Sequence, residues 1–290
     1  MKRNKCLICE SKNLTNILDL GNHPYADTFI PKNDCYKLLP VYKLSCSLCE
    51  DCGHIQTETI TSPQDRYNLF DYSYTSSNSS VAKEHWKEYC KEVIKNLSIK
   101  SSDRICEIGS NDGYLLSLFK QNNNQVLGID ASKNLVEISK SNKIPAIQSV
   151  FDAKASIEIL KSEQKFNLVM ANNVFNHANE PFSFSIGVNN LLKKNGYFVF
   201  EVPYWKNTID SQKVDQVYHE HVSYFTATSI MKLMERANFN IVDIKVVDYH
   251  GGSLRVYAQK SNKRAHSNQL YDLINKESYL FKKHTYHKLT

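Results

Sequence analysis

Three groups of residues in this chain have types and spacings that could do chemistry. The first is a set of thiols. Of eight cysteines, Cys6, Cys9, Cys35, Cys46, Cys49 and Cys52 all precede Gly53, and only Cys90 and Cys106 follow. Cys6-Leu-Ile-Cys9 and Cys49-Glu-Asp-Cys52 are two Cys-x-x-Cys knuckles, which place four thiolates on two tight turns and suit tetrahedral Zn²⁺ at about 2.3 Å per bond. Cys46-Ser-Leu-Cys49 has the same spacing, but Gly53 directly after Cys52 helps that turn close, so Cys46 is expected to be a spectator. Four closed thiolates leave no open coordination position, which predicts a structural zinc. The competing reading is chance spacing among buried thiols.

The second group is Glu107-Ile-Gly109-Ser-Asn111-Asp-Gly113, an acid at a strand end followed by a glycine-rich turn into a helix. Glycines there let a ligand approach the backbone, while the acid disfavours a pyrophosphate and suits the ammonium of a methionine moiety. Asp130 ends the next strand, where a carboxylate can accept both hydroxyls of a ribose. Glu107, Gly109, Asn111, Gly113 and Asp130 are therefore the expected binding set for S-adenosyl-L-methionine. A nicotinamide-dependent oxidoreductase is the alternative, but it wants Gly-x-Gly-x-x-Gly, which this turn lacks.

The third group is Tyr218-His219-Glu220-His221. Clustered imidazoles and a carboxylate suit acid–base chemistry or a metal. On a strand, His219 and His221 would share one side; a loop is equally compatible. His250-Gly-Gly-Ser-Leu-Arg255 reads either as a glycine hairpin or as a turn offering Arg255 to an anion.

The elements that must position these groups follow from periodicity. Residues up to about 60 are turn-rich with little helical pattern. The polar, aromatic stretch 71–80 reads as a loop or linker and opens an amphipathic segment around Val81–Leu97. Strands at Arg104–Ile108, Gln125–Ile129, Phe166–Ala171 and Gly196–Val202 alternate with helices at Gly113–Gln121, Ser132–Asn142 and Phe182–Lys193. A helix over Thr228–Ala237 precedes two strands, Asn240–Val247 and Ser253–Gln259. This alternation predicts an α/β fold, a parallel sheet covered by helices, with the last two strands as an antiparallel hairpin at the edge.

Composition narrows the class further. The 290 residues are 41% hydrophobic and 23% charged with a formal net charge of +6, as in an ordinary globular protein. Basic residues are scattered, which argues against nucleic acid as a partner. No apolar run is long enough to span a membrane. The basic start lacks the apolar segment of a secretory signal, so the expected compartment is the cytoplasm, where paired cysteines suggest metal before disulfide.

Taken in order, the zinc knuckles, Glu107-x-Gly-x-x-x-Gly, Tyr-His-Glu-His and His-Gly-Gly-Ser-Leu-Arg resemble those of nucleotide-sugar C-methyltransferases. The resemblance covers nearly all of residues 1 to 260. It implies a zinc-binding domain over 1–65, a class I methyltransferase domain with a Rossmann-like sheet over 66–260, and a helical extension over 261–290 that begins a third domain. It further implies a 4-keto-6-deoxy sugar on a nucleotide as substrate, in deoxysugar, surface-polysaccharide or natural-product biosynthesis. By position, the family's general base falls on His221, flanked by Tyr218 and Glu220, while Tyr72 and His177 fall on substrate or enolate contacts. Family members continue well beyond the point corresponding to Thr290, so a shortened form serving as a zinc-containing interaction module is the second expectation. The sugar, the nucleotide, the methylated position and the oligomeric state stay open.

Overall fold

Apolar runs such as Leu168-Val-Met-Ala171, every residue of which is fully buried, can form strands only where both faces of a sheet are covered. The computed structural model, which describes residues 2–26, 32–34, 36, 38–62, 75, 77–263 and 265–286, shows two sheets. The smaller begins with β1 (Leu14–His23), β2 (Tyr42–Cys49) and β3 (Ile55–Thr57), all antiparallel. Irregularities in the β1–β2 register, between Asn16 and Leu18 and between Asp19 and Asn22, break the period-2 pattern. That is why the segment reads as turns in sequence.

Helix α1 (Ser80–Leu97) follows, its N-terminus capped by the Ser79 hydroxyl. The large sheet is then laid down as β4 (Arg104–Ile108), α2 (Tyr114–Gln121), β5 (Gln125–Asp130), α3 (Lys133–Ser141), β6 (Ala146–Gln148), α4 (Ala153–Ile159), β7 (Phe166–Asn172), α5 (Pro181–Leu191) and β8 (Leu192–Pro203). The short helix α6 (Trp205–Asp210), strand β9 (Ser223–Tyr224) and helix α7 (Ala227–Arg236) follow, and strands β10 (Phe239–Val247) and β11 (Ser253–Lys260) complete the large sheet. The strand order is β10-β11-β8-β7-β4-β5-β6, and β11 is antiparallel to both neighbours. This is the class I methyltransferase sheet. The last two strands form the expected antiparallel hairpin at the edge, with β11 against β8 and β10 outermost.

β9 does not belong to the large sheet. It adds to β3 as the fourth strand of the small one, so the segment after His221 is shared with the cysteine-rich region. Beyond β11, helix α8 (Asn268–Lys276) and single turns at Ser278–Phe281 and Lys283–Tyr286 fold back. Leu270 enters the main core, while Leu280 and Tyr286 pack with Ile17, Leu18, Leu44 and Leu48 of the small sheet. Among the described residues no helix is long and apolar enough to cross a membrane.

Candidate active site and metal centre

The two knuckles meet. The sulfurs of Cys6, Cys9, Cys49 and Cys52 lie within 4.8 Å of one another, with Cys6–Cys52 and Cys9–Cys49 both at 3.5 Å. A tetrahedron with 2.3 Å bonds has edges of about 3.8 Å, so the quartet fits zinc. Each turn is closed by its own backbone. Glu10 N donates to Cys6 O and Gly53 N to Cys49 O, with Gly53 at φ +70°, a left-handed conformation that favours glycine. Cys46 is fully buried in a different cluster, beside Leu48 and Tyr224, and burial pushes its thiol pKa up. It is no ligand.

A cleft of 440 Å³ opens at the carboxyl ends of β4, β5, β7 and β8, lined there by Gly109, Asp130, Asn172 and Pro203. Strand order reverses between β4 and β7, the place where open α/β sheets bind ligands. Gly109 (φ +70°) has no room for a side chain, since a Cβ would stand 2.7 Å from Val174 Cβ. Asn111, also left-handed, donates its N–H to Asp130 Oδ2 at 2.8 Å, and Ser132 N donates to Oδ1 at 2.9 Å. Each carboxylate oxygen keeps a further lone pair for ribose hydroxyls.

Glu107 is buried, and burial together with nearby Asp112 and Asp130 pushes its carboxyl well above the usual range. Its Oε2 has no hydrogen-bond partner among the described residues. A buried acid in such company is costly alone and satisfied by an ammonium. The pole therefore fits a methionine-bearing nucleoside.

The other pole of the cleft is lined by His177, Gln216, Tyr218, His221 and His250. Residues 218–221 form a turn, with His221 N bonded to Tyr218 O. The turn separates the two histidines. His219 packs edge-on against Tyr25 and Tyr42, its Nε2 3.2 Å from Tyr42 O, on the small sheet. His221 faces the cleft. Its Nδ1 lies 2.9 Å from Gln216 O; a carbonyl only accepts, so Nδ1 carries the proton and Nε2 is the basic nitrogen. Tyr218 Oη sits 2.6 Å from that Nε2, and the His177 ring is 5.0 Å away. Burial holds the His221 pKa down at about 4, so its neutral, base form prevails at neutral pH.

Not every expected residue gathers here. Glu107 and Glu220 are buried and, like Gly113, are not among the residues that line the cleft. Tyr72 lies outside the described residues. Arg255 does not face a ligand: it is buried, paired with Glu201 and Glu92, and lies over the Tyr89 ring. Conversely, Trp86, Asn172, Gln216 and His250 line the cleft. Of these, Trp86 carries only the signal of an apolar helix position, which does not distinguish a cleft wall from a core.

Comparison with known proteins fits this geometry. Residues 82–244 match the family model described as "Methyltransferase domain", and residues 6–67 match the one described as "Putative zinc binding domain". The C-methyltransferase NovU of Streptomyces niveus is 26% identical over 254 residues, 88% of this chain and 60% of that protein. A ubiquinone biosynthesis O-methyltransferase of Pelagibacter ubique is 34% identical over 119 residues, 37% of this chain and 48% of that protein. The chain thus spans less than two thirds of the length of these relatives. Among solved structures, the magnesium protoporphyrin IX methyltransferase of Synechocystis PCC 6803 with bound SAH superposes with a TM-score of 0.51 at 12% identity, covering 65% of this chain and 90% of that one. A family match over more than half of its length, on a sheet of matching topology, places this chain in the methyltransferase-domain family, with a zinc-binding domain in front.

Proposed function

We propose that the protein is an S-adenosyl-L-methionine-dependent C-methyltransferase acting on a 4-keto-6-deoxy sugar carried by a nucleotide. One observation carries this reading: Gly109, Asp130 and Asn172 line the same cleft as His177, Tyr218 and His221. Similarity to a C-methyltransferase over most of the chain supports carbon as the accepting atom.

Asp130 would hold the cofactor's ribose and the Gly109 turn would admit its backbone-hugging chain, while Glu107, with one carboxyl oxygen unpartnered among the described residues, would be the counter-charge for its ammonium. When bound, S-adenosyl-L-methionine supplies an electrophilic methyl on a sulfonium. The residues opposite prepare the acceptor. A ketone at C4 acidifies the C3–H bond; His221 Nε2 takes that proton, and the electron pair passes into the C3–C4 enolate. Gln216 O keeps Nδ1–H in place, so the ring has one basic lone pair in one orientation. Substrate entry displaces the Tyr218 hydroxyl from Nε2 and frees it, with His177, to donate to the enolate oxygen. Because burial lowers the basicity of His221, those donors must supply much of the stabilisation. The remainder is positioning of the two carbons.

The test is His221→Asn assayed on a panel of 4-keto-6-deoxy nucleotide sugars, alongside calorimetric titration with S-adenosylhomocysteine (SAH). Methyl transfer should fall about 100-fold or more with SAH affinity unchanged. Normal turnover by the variant would remove His221 as the base, and a flat SAH titration of the wild type would remove the cofactor. Zinc-replete, SAH-binding protein that methylates no keto sugar would instead favour the interaction-module reading.

A further inference from the structure

Trp86 stands on α1 at the wall of the cleft, 95% buried by its 5% exposure. Its indole Nε1–H is buried and has no acceptor among the described residues. A buried donor left unpaired costs about 1–3 kcal/mol, and a phenylalanine would fill much of the same space without that cost. The ring is nonetheless held on several sides. His85, Tyr89 and Tyr249 meet it edge-on, with centroids 4.7, 5.7 and 5.4 Å away.

Two acceptors that belong to or hold its packing partners are committed elsewhere. Glu201 receives Arg255 Nε on one oxygen and His85 Nε2, at 2.8 Å, on the other. The carbonyl of Tyr249 receives Gly252 N and the Ser253 hydroxyl. The same contacts lock the packing partners: His85 stacks on Tyr249 at 3.7 Å with 6° between planes while tied to Glu201. Trp86 thus carries a buried donor without an acceptor among the described residues, in a ring held by its neighbours on the wall of a ligand cleft.

We propose that the Trp86 indole N–H is a ligand-binding donor, which takes an acceptor oxygen of the molecules occupying the cleft and so positions them for methyl transfer. The inference rests on the cleft being the methyl-transfer site proposed above. Two bound molecules offer such an oxygen: the carboxylate of the cofactor's methionine moiety, or the carbonyl and hydroxyls of the keto sugar. Trp86 is a positioning residue and moves no proton.

The protein has two tryptophans, so an ¹⁵N-indole spectrum has two indole N–H signals. Trp205 is an internal control, because its Nε1 already donates to Tyr286 Oη at 3.2 Å and it does not line the cleft. SAH is added to the full chain first, then dTDP-4-keto-6-deoxyglucose to the SAH-saturated protein. The Trp86 signal should move downfield with one of the two probes while the Trp205 signal stays, and the probe that moves it identifies the acceptor. Trp86→Phe should then lose about fivefold or more in affinity for that probe and keep its affinity for the other. SAH binding by the wild type with an unmoved Trp86 signal at both additions overturns this inference alone. Trp86→Phe binding both probes as the wild type does has the same effect. A wild-type chain that takes up neither probe overturns the functional reading and this inference with it.

Discussion

Ile55 and Tyr224 stand opposite each other as an antiparallel pair, joining the strand that follows the second zinc knuckle to the strand that follows His221. Thr57 N donates to Val222 O, and the Thr226 hydroxyl donates to Gly53 O, so the two segments are bonded on both sides of that pair. The metal centre and the proposed base therefore share a sheet. Removing zinc, by a strong chelator or by Cys6→Ser, should reach the catalytic pole before the cofactor pole. We expect Tm to fall by roughly 5–10 °C and methyl transfer to fall more than SAH affinity. Equal loss of both, or no loss of either, would show that β9 does not transmit the state of the knuckles.

The buried imidazole of His221 makes stability depend on pH in a defined window. Its folded pKa is about 4, below the ordinary value near 6.5, so the unfolded chain binds the extra proton first. The stabilisation is intact above about pH 6.5 and is lost as pH falls towards 4. Between pH 7 and pH 5 the wild type should lose about 2 kcal/mol more than His221→Asn does, by urea unfolding at each pH. His219 and His250 shift in the same direction through burial, and the variant retains both, so the comparison isolates His221. A pH profile shared by the two proteins would place His221 in solvent.

Gly109 is under two constraints that can be separated. A side chain there pays for left-handed backbone, about 1–2 kcal/mol, and collides with Val174. Gly109→Ala should lower unfolding free energy by at least that amount and weaken SAH binding tenfold or more. Adding Val174→Ala should recover part of the packing cost and leave the backbone cost. Full recovery in the double variant would show that the φ of +70° imposes nothing.

Glu277, in the segment after the last strand, is fully buried. Its carboxylate accepts from Ala227 N at 2.9 Å, Thr228 N at 2.7 Å, the Thr228 hydroxyl at 2.6 Å and Tyr204 Oη at 2.9 Å. It caps the N-terminus of α7, where free N–H groups and the helix dipole favour an anion. Glu277→Gln places donors against donors and should cost about 3 kcal/mol in chemical denaturation. A change under about 0.5 kcal/mol would mean that this carboxylate is not engaged in solution.

How much was legible in advance varies with the range of the interaction. Turn chemistry and periodicity act over a few residues, and they place β4, β5, β7 and helices α2 and α3 within a residue or two of their observed ends. They also single out Gly53, Gly109 and Gly113, whose positive φ is a local demand, and pair Cys6 and Cys9 with Cys49 and Cys52 over Cys46. β6, α4 and α6, three, seven and six residues long, carry too few positions to show a period, and periodicity leaves them unplaced.

The thiol knuckles and the acid–glycine turn of the opening motifs were determined by the sequence itself, because each is a contiguous unit whose geometry is written in its own residues. What only the tertiary structure decided is which neighbours face one another. His219 and His221, two positions apart, part company because a turn directs one to Tyr42 and the other to Gln216. Arg255 is withdrawn from any ligand by Glu92 and Glu201, distant in sequence. Trp86 becomes a cleft wall only once α1 packs beside Tyr249. Contacts of this kind depend on burial and charge pairing between remote segments, and no periodicity along the chain records them.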